Sequence, residues 1–281
     1  MARRKRKKDR QLLTAVLVIV GLLFLIMGAV ALALSRGGSE PVREPETQPR
    51  ATAAPNDYAP EDFYREDGFL RYEGEHLVGI DVSTHQGLID WEAVADSGVD
   101  FAILRIGYRG SSQGLLYEDE TFRDNLQGAK EAGLLVGGYF FSQAITPQEA
   151  WDEAIYACEI LDDAELDLPV FYDWEETGED SRTGNIWDIP MTRCALAFCE
   201  RMEQDGYDAG VYFNQNYGYH HLELEHLQDY TLWLAEYNEI PTFDYHFDLL
   251  QYSASGSIPG IETDVDLDLW IPANRQGAYT R

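Results

Sequence analysis

The hydrophobic and polar residues divide the chain into segments of different character. Residues 12–34 form an uncharged, mostly apolar run, and as a helix this run is long enough to cross a hydrocarbon core of about 30 Å. Residues 1–11 are strongly basic, and residues 35–60 are polar and rich in proline. We therefore predict a cytoplasmic tail at 1–11, a transmembrane helix at 12–34 and a disordered linker at 35–60.

The basic flank also predicts the orientation of this helix. Basic flanks stay on the cytoplasmic side of a membrane, so a single-pass anchor in the lipid bilayer would place the rest of the chain outside the cell membrane. A cleaved signal peptide is the alternative, because Ala31-Leu32-Ala33 resembles a cleavage site. The apolar run is longer than the about 7–15 residues of a typical signal peptide, and we favour a retained anchor.

Residues 61–281 alternate between strand-like and helix-like patterns and are predicted to form one domain. Eight apolar runs have the length of buried strands: Leu77–Val82, Phe101–Ile106, Leu134–Phe141, Pro169–Asp173, Ala209–Phe213, Thr231–Ala235, Phe247–Tyr252 and Val265–Leu269. Helix signals separate the first five: Trp91–Asp96, Asp119–Ala132, Thr146–Asp163 and Thr192–Gln204. The pattern predicts an α/β fold, an irregular TIM-like (β/α) barrel with eight strands and helices mainly after the first four or five.

Two acids stand at the end of the fourth predicted strand. Asp173 and Glu175 are two residues apart, so on a strand they share one face. Two carboxyl groups held together in a partly dry cleft can perform acid/base cleavage of a glycosidic bond. The carboxyl ends of the other strands carry further acids and aromatic residues, which predicts a carbohydrate cleft at this rim. The candidates for substrate binding are Tyr139, Phe141, Tyr212, Trp233, Glu236, Tyr237, Gln251 and Tyr252.

A series of short motifs resembles glycoside hydrolase family 25, the Chalaropsis-type lysozymes, over about Leu77 to Trp270. In chain order the motifs are Gly79-Ile80-Asp81-Val82-Ser83, Phe101-Ala102-Ile103-Leu104-Arg105, Val136-Gly137-Gly138-Tyr139, Asp173-Trp174-Glu175, Gly210-Val211-Tyr212, Leu232-Trp233-Leu234-Ala235, Gln251-Tyr252-Ser253 and Val265-Asp266-Leu267-Asp268. The resemblance implies the irregular barrel and a peptidoglycan muramidase that cuts the β-1,4 bond between N-acetylmuramic acid and N-acetylglucosamine.

The resemblance also implies roles for individual acids. By position, Glu175 matches the proton donor of the family and Asp173 matches the partner acid. Asp81 and Asp266 match the two other active-site acids. The sequence departs from the family at Asp268, where asparagine is usual, and at Phe140 and Leu250, where histidine and tryptophan are common. The four acids that match active-site positions of the family, Asp81, Asp173, Glu175 and Asp266, are all present.

The predicted mechanism is a hypothesis from the expected geometry. Glu175, crowded by Asp173 and an apolar wall, would keep its proton near neutral pH and protonate the leaving oxygen. Asp173 would orient the 2-acetamido group of the substrate as an internal nucleophile. An inverting route, in which Asp266 activates water, stays open. Working carboxyls about 6.5–9.5 Å apart, without an acetamido contact, would favour inversion.

Charge and cysteine content narrow the range of partners. After residue 36 the chain has 49 Asp and Glu against 13 Lys and Arg, so nucleic acid is not an expected partner. No metal or other cofactor is expected, because the His- and Glu-rich segment 220–226 lacks a known metal-binding spacing. One disulfide from Cys158 to Cys194 or Cys199 stays open beside the alternative of free thiols.

The leading hypothesis is a membrane-tethered muramidase whose partner is the glycan strand of peptidoglycan. Two alternatives remain open: a catalytically weak barrel that binds the cell wall, and a hydrolase of another amino-sugar polymer such as chitin. Intact acids at 81, 173, 175 and 266 favour catalysis over binding alone.

Overall fold

The computed structural model describes residues 53–184, 186 and 189–272. The predicted tail at 1–11, the predicted membrane helix at 12–34 and most of the predicted linker lie outside these residues. Within the described ranges, no helix is long and apolar enough to cross a membrane. The anchor at 12–34 stays a prediction.

The described strands number eleven and include all eight that the sequence predicts. They are β1 (Phe63–Glu66), β2 (Phe69–Tyr72), β3 (Leu77–Val82), β4 (Phe101–Arg109), β5 (Leu116–Glu118), β6 (Leu135–Ser142), β7 (Val170–Trp174), β8 (Ala209–Asn214), β9 (Thr231–Ala235), β10 (Leu249–Gly256) and β11 (Val265–Trp270). Eight of them close a barrel in the order β3, β11, β10, β9, β8, β7, β6, β4, and β4 pairs back with β3. The predicted eight-stranded barrel is confirmed.

The last strand of the barrel runs against the others. β11 is antiparallel to both β10 and β3, whereas the remaining neighbours in the barrel are parallel. The strands of a TIM-like barrel, the fold predicted from sequence, are parallel, so the direction of β11 departs from this prediction. The short segment 257–264 between β10 and β11 has no helix and cannot make the long crossover that a parallel strand needs, so the chain returns as a hairpin.

Helices cover the outside of the first part of the barrel. They are α1 (Trp91–Asp96), α2 (Phe122–Glu131), α3 (Pro147–Leu161), α4 (Met191–Gln204) and the short α5 (Gln215–His220). The start of α3 follows its sequence signal, because the Thr146 side chain accepts a hydrogen bond from the Glu149 amide and Pro147 takes the first helical position. The longer helices follow only the early strands, and this makes the barrel irregular, as predicted.

An N-terminal hairpin, which the sequence pattern did not predict, covers the side of the barrel without long helices. β1 and β2 pair across a turn at Asp67 and Gly68, both with positive φ. Residues 53–60, assigned to the linker from sequence, lie along the barrel, where Pro55 bridges Tyr245 and the Tyr58 hydroxyl donates to the Phe247 carbonyl at 2.9 Å. The ordered domain therefore begins before residue 61.

The core has two layers that follow strand alternation. One cluster fills the barrel and includes Phe101, Phe171 and Trp233; the other lies between the barrel and its outer cover. Phe140 packs outward, 6.4 Å from the Phe198 ring of α4, and so it does not contribute to the rim. All three cysteines are free thiols, and burial raises the pKa of Cys158, Cys194 and Cys199.

Candidate active site

The structure brings the four predicted acids to one end of the barrel. Asp81 lies near the carboxyl end of β3, Asp173 lies near the carboxyl end of β7, and Glu175 follows that strand directly. Asp266 lies near the amino end of β11, and because β11 is reversed, this is the same end of the barrel. The strand direction was not predicted, but Asp266 reaches the rim because of it.

Asp81 and Asp266 are direct cross-strand neighbours in the β3–β11 pair. Gln251 of β10 donates from Nε2 to Asp81 Oδ2 at 2.7 Å. Its Oε1 accepts hydrogen bonds from the hydroxyls of Tyr212 at 3.0 Å and Tyr237 at 2.7 Å. Gln251 therefore ties Asp81 to two tyrosines at the rim.

Burial and mutual repulsion perturb the two most enclosed acids. Burial raises the pKa of Asp81 well above its usual range, and the charges of Asp268 and Asp266 raise it further. Burial also raises the pKa of Asp173, and the neighbouring Glu175 adds to the shift. Asp173 Oδ1 is buried and has no hydrogen-bond partner among the residues that the structure describes.

The two acids nearer to solvent are also shifted towards the protonated form. Burial raises the pKa of Glu175, although hydrogen bonding with Tyr212 and Asp173 lowers it in part. Burial and the charge of Glu175 raise the pKa of Asp266 to about 6. Carboxyl groups whose pKa values move towards neutrality can exchange protons with a substrate at physiological pH.

A fifth acid lies beneath these four. Asp268 is 0% exposed inside the barrel, and its Oδ1 accepts a hydrogen bond from Trp233 Nε1 at 3.0 Å. Its Oδ2 has no hydrogen-bond partner in the described ranges. Burial and the charge of Asp266 raise the pKa of Asp268 well above its usual range. This upward shift of the pKa favours the neutral, protonated carboxyl group at a position where the family usually has the neutral asparagine.

Arg105 is a charged residue of the site that the sequence reasoning did not single out. It lies on β4, and its Nε donates to Asp119 Oδ2 at 2.7 Å. Burial raises the pKa of Asp119, but hydrogen bonds from Thr84 and Thr121 and the charge of Arg105 lower it overall. The same guanidinium charge opposes the upward shift of the Asp173 pKa. The available sequence signal was that Arg105 is the one charged residue in the apolar run Phe101–Ile106.

The predicted substrate-binding residues divide into two groups. Tyr139, Phe141, Tyr212 and Tyr237 accompany the acids: Phe141 is the cross-strand partner of Asp173, and the charges of Asp81 and Asp173 act on the Tyr139 hydroxyl. Tyr237 is 58% exposed at the rim, and Tyr212 and Gln251 are buried in the hydrogen-bonded group described above.

Three of the predicted substrate-binding residues have other positions. Trp233 is 1% exposed, because it lies in mid-strand below the rim, where a sugar cannot reach its face. Tyr252 packs in the outer layer, since side chains alternate and Gln251 already points inward. Glu236 accepts hydrogen bonds from Asn238 and from the amides of Thr242 and Phe243, and so it holds a loop.

A barrel with several carboxyl groups gathered at the carboxyl rim has the arrangement that glycoside hydrolases use. Residues 80–261 match the family described as Glycosyl hydrolases family 25. This match covers more than half of the chain, and the chain therefore belongs to glycosyl hydrolase family 25. Asp266 and Asp268 lie just beyond the matched residues.

Individual relatives agree with this assignment. The chain is similar to an autolytic lysozyme of Clostridium acetobutylicum, at 32% identity over 68% of this chain and 55% of the relative. The chain thus spans about half the length of that curated relative. Among solved structures, the modular autolysin LytC of Streptococcus pneumoniae, in complex with a synthetic peptidoglycan ligand, is 25% identical with a TM-score of 0.59, over 70% of this chain and 47% of that chain. A family 25 glycosyl hydrolase of Bacillus anthracis shares the fold at 20% identity, with a TM-score of 0.56, over 69% of this chain and 88% of that one.

Proposed function

We propose that this protein is a muramidase, which hydrolyses the β-1,4 bond between N-acetylmuramic acid and N-acetylglucosamine in peptidoglycan. The observation that carries the proposal is the convergence of Asp81, Asp173, Glu175 and Asp266 at one rim of a family 25 barrel. The related autolytic lysozyme and the autolysin bound to a peptidoglycan ligand support the choice of substrate.

In the proposed mechanism Glu175 is the general acid. Its raised pKa keeps the proton that it donates to the glycosidic oxygen as the bond to the anomeric carbon breaks. The acetamido oxygen of the substrate attacks that carbon from the opposite face, and its N–H group donates to Asp173 Oδ1, which has no partner among the described residues. Ionised Glu175 then takes a proton from water, which attacks the same carbon and releases the acetamido group.

Asp81 and Asp266 have supporting roles in this proposal. Gln251 holds Asp81 in place, and Asp266 faces it across the strand pair. Their shared negative charge favours the positive charge that develops on the sugar in an oxocarbenium-like transition state. In the inverting alternative Asp266 would instead act as the base that activates water.

Digestion of purified peptidoglycan tests the proposal. The wild type is expected to release fragments with N-acetylmuramic acid at the new reducing end, as read by mass spectrometry, and Glu175→Gln is expected to lose at least about 100-fold in rate. Glu176→Gln is the matched control, because Glu176 is the exposed neighbouring acid. Cleavage of chitin but not of peptidoglycan would refute the substrate, and binding without cleavage by the wild type would refute the enzyme activity.

The stereochemical outcome tests the role of Asp173. Proton NMR of the first products is expected to show the β-anomer, because the internal acetamido attack inverts the anomeric carbon once and water inverts it again. An initial α-anomer would contradict this route and would favour Asp266 as the base for water.

We also propose that residues 12–34 anchor the enzyme in the cell membrane with the barrel outside the cell. The support is the uncharged run itself and the basic flank before it. The full chain is expected in the membrane fraction, with its barrel accessible to added protease in intact cells stripped of wall. Release of the full chain by a high-salt wash, or protection of its barrel from protease, would refute this location.

A further inference from the structure

A cavity of about 860 Å³ lies beside the acid rim, outside the β10–β11 hairpin. The N-terminal hairpin forms one wall of this cavity with Arg65, Asp67 and Phe69. The other wall is formed by Tyr252, by residues 253–256 at the end of β10, and by residues 257–259 just after this strand. The hairpin precedes the residues that match the family, 80–261, so the cavity depends on a segment outside that match.

One residue links the cavity to the acids. Tyr237 lines the cavity, and its hydroxyl donates to Gln251 at 2.7 Å. Gln251 in turn donates to Asp81 at 2.7 Å. Tyr237 therefore borders both the acid rim and the cavity.

The lining of the cavity is suited to a carboxylate. The Arg65 guanidinium lies over the Tyr252 ring, 5.3 Å from the ring centre, and the two groups make a cation–π contact. Within the described ranges, no carboxylate forms an ion pair with Arg65, although Asp67 lines the same cavity. The other wall offers the hydroxyls of Ser253, Ser255 and Ser257, and a hydroxyl group can donate to a carboxylate and accept from a peptide N–H.

The charge of the whole domain makes this arginine unusual. After residue 36 the chain has 49 acidic residues against 13 Lys and Arg, so most of the surface repels anions. A cation without an ion-pair partner, next to hydroxyl groups and an aromatic wall, provides local attraction for a carboxylate-bearing peptide.

We propose that this cavity binds the acidic peptide that branches from the muramic acid residue of the substrate, with a peptide carboxylate on Arg65. The inference rests on the proposed muramidase function, because it assumes that the glycan occupies the acid rim. The glycan would lie across the rim, and its peptide branch would pass over Tyr237 to the hairpin. The N-terminal hairpin would thus select glycan that still carries its peptides.

Two substrates separate peptide binding from glycan cleavage. One is intact peptidoglycan, and the other is glycan whose peptides have been removed with an amidase. Arg65→Gln is expected to lower kcat/KM about tenfold on intact peptidoglycan and to leave it unchanged on peptide-free glycan. Arg123→Gln is the matched control, because Arg123 is an exposed arginine on α2 that does not line the cavity. Ser255→Trp, which fills the cavity from an exposed position, is expected to act like Arg65→Gln.

A binding experiment keeps this test independent of catalysis. Muramyl dipeptide is titrated into isotope-labelled Glu175→Gln protein, and changes in the NMR chemical shifts of the backbone amides are expected around residues 65–69 and 253–258. These changes are expected to be absent in a double variant that also carries Arg65→Gln. Equal losses on both glycans, no loss on either, or shifts confined to the acid rim would overturn the cavity proposal. A wild type that cleaves neither glycan would refute the muramidase function, whereas the titration would still report on the cavity.

Discussion

Asp266 gives the sharpest prediction, because the size of its pKa shift allows the effect on stability to be worked out. Its pKa is about 6 against an ordinary value of 3.8, owing to burial and to the charge of Glu175. The folded protein therefore holds a proton on Asp266 over a pH range in which the unfolded chain has lost it. Asp266→Asn removes this ionisation while keeping the shape of the side chain.

The sign and size of the effect follow from linkage. Below about pH 3.8 both states are protonated, and Asp266 adds no pH dependence. From there to about pH 6 the folded state binds more protons than the unfolded state, so stability falls as the pH rises, and above about pH 6 the cost is constant. A shift of about two units, at 1.36 kcal/mol each, gives a cost of up to about 3 kcal/mol, an upper value because the carboxyl is partly exposed. About 2 kcal/mol of this cost develops between about pH 4.5 and 7.5.

Urea unfolding of the wild type and Asp266→Asn across this pH range measures the effect. The variant is expected to gain stability relative to the wild type as the pH rises, by about 1–2 kcal/mol in total, and to lose cleavage activity. Asp264→Asn is the matched control on the same segment, because Asp264 is exposed. A stability difference that stays flat from pH 4.5 to 7.5, or that grows towards low pH, would refute the shifted ionisation of Asp266.

Two further substitutions test the surroundings of the site. Asp268→Asn is expected to keep the acceptor for Trp233 and to retain most of the activity. The variant is also expected to unfold at a higher temperature at pH 7.5, because it removes a buried acid whose pKa is raised. A lower melting temperature in calorimetry would contradict this. Arg105→Met is expected to destabilise the fold by about 3 kcal/mol in urea unfolding at neutral pH, because it leaves the buried Asp119 carboxylate without its ion pair. The loss of stability should become smaller at low pH, where Asp119 is protonated. A loss below about 1 kcal/mol at neutral pH would contradict this prediction.

The strands of the barrel could be predicted because each is a bounded apolar run. The direction of β11 was harder to predict, although the short segment 257–264 before it was a usable signal for a hairpin. The N-terminal hairpin also had a signal, since Asp67-Gly68 between Phe63 and Phe69 is a strong two-residue turn sequence. The hairpin was not predicted, because the polar composition of the neighbouring residues favoured a linker over strands.

The acids of the site were predictable by position, but the roles of their neighbours were not. Alternation along β10 would have placed Tyr252 outside once Gln251 was placed inside. The depth of Trp233 in the barrel depends on the stagger of the strands, which no local pattern contains. The loop held by Glu236 likewise depends on contacts that only the folded chain makes.

The pairing of β3 with β11 joins the first and last strands of the barrel, and it also joins Asp81 to Asp266. Contacts between such distant parts of a chain form late, because they require the largest loss of chain entropy. During synthesis, a chain released only as far as β10 lacks one wall of the acid rim. For the proposed muramidase, the acid rim would therefore be complete only after the barrel closes, so a partly synthesised chain would not yet be able to cut glycan.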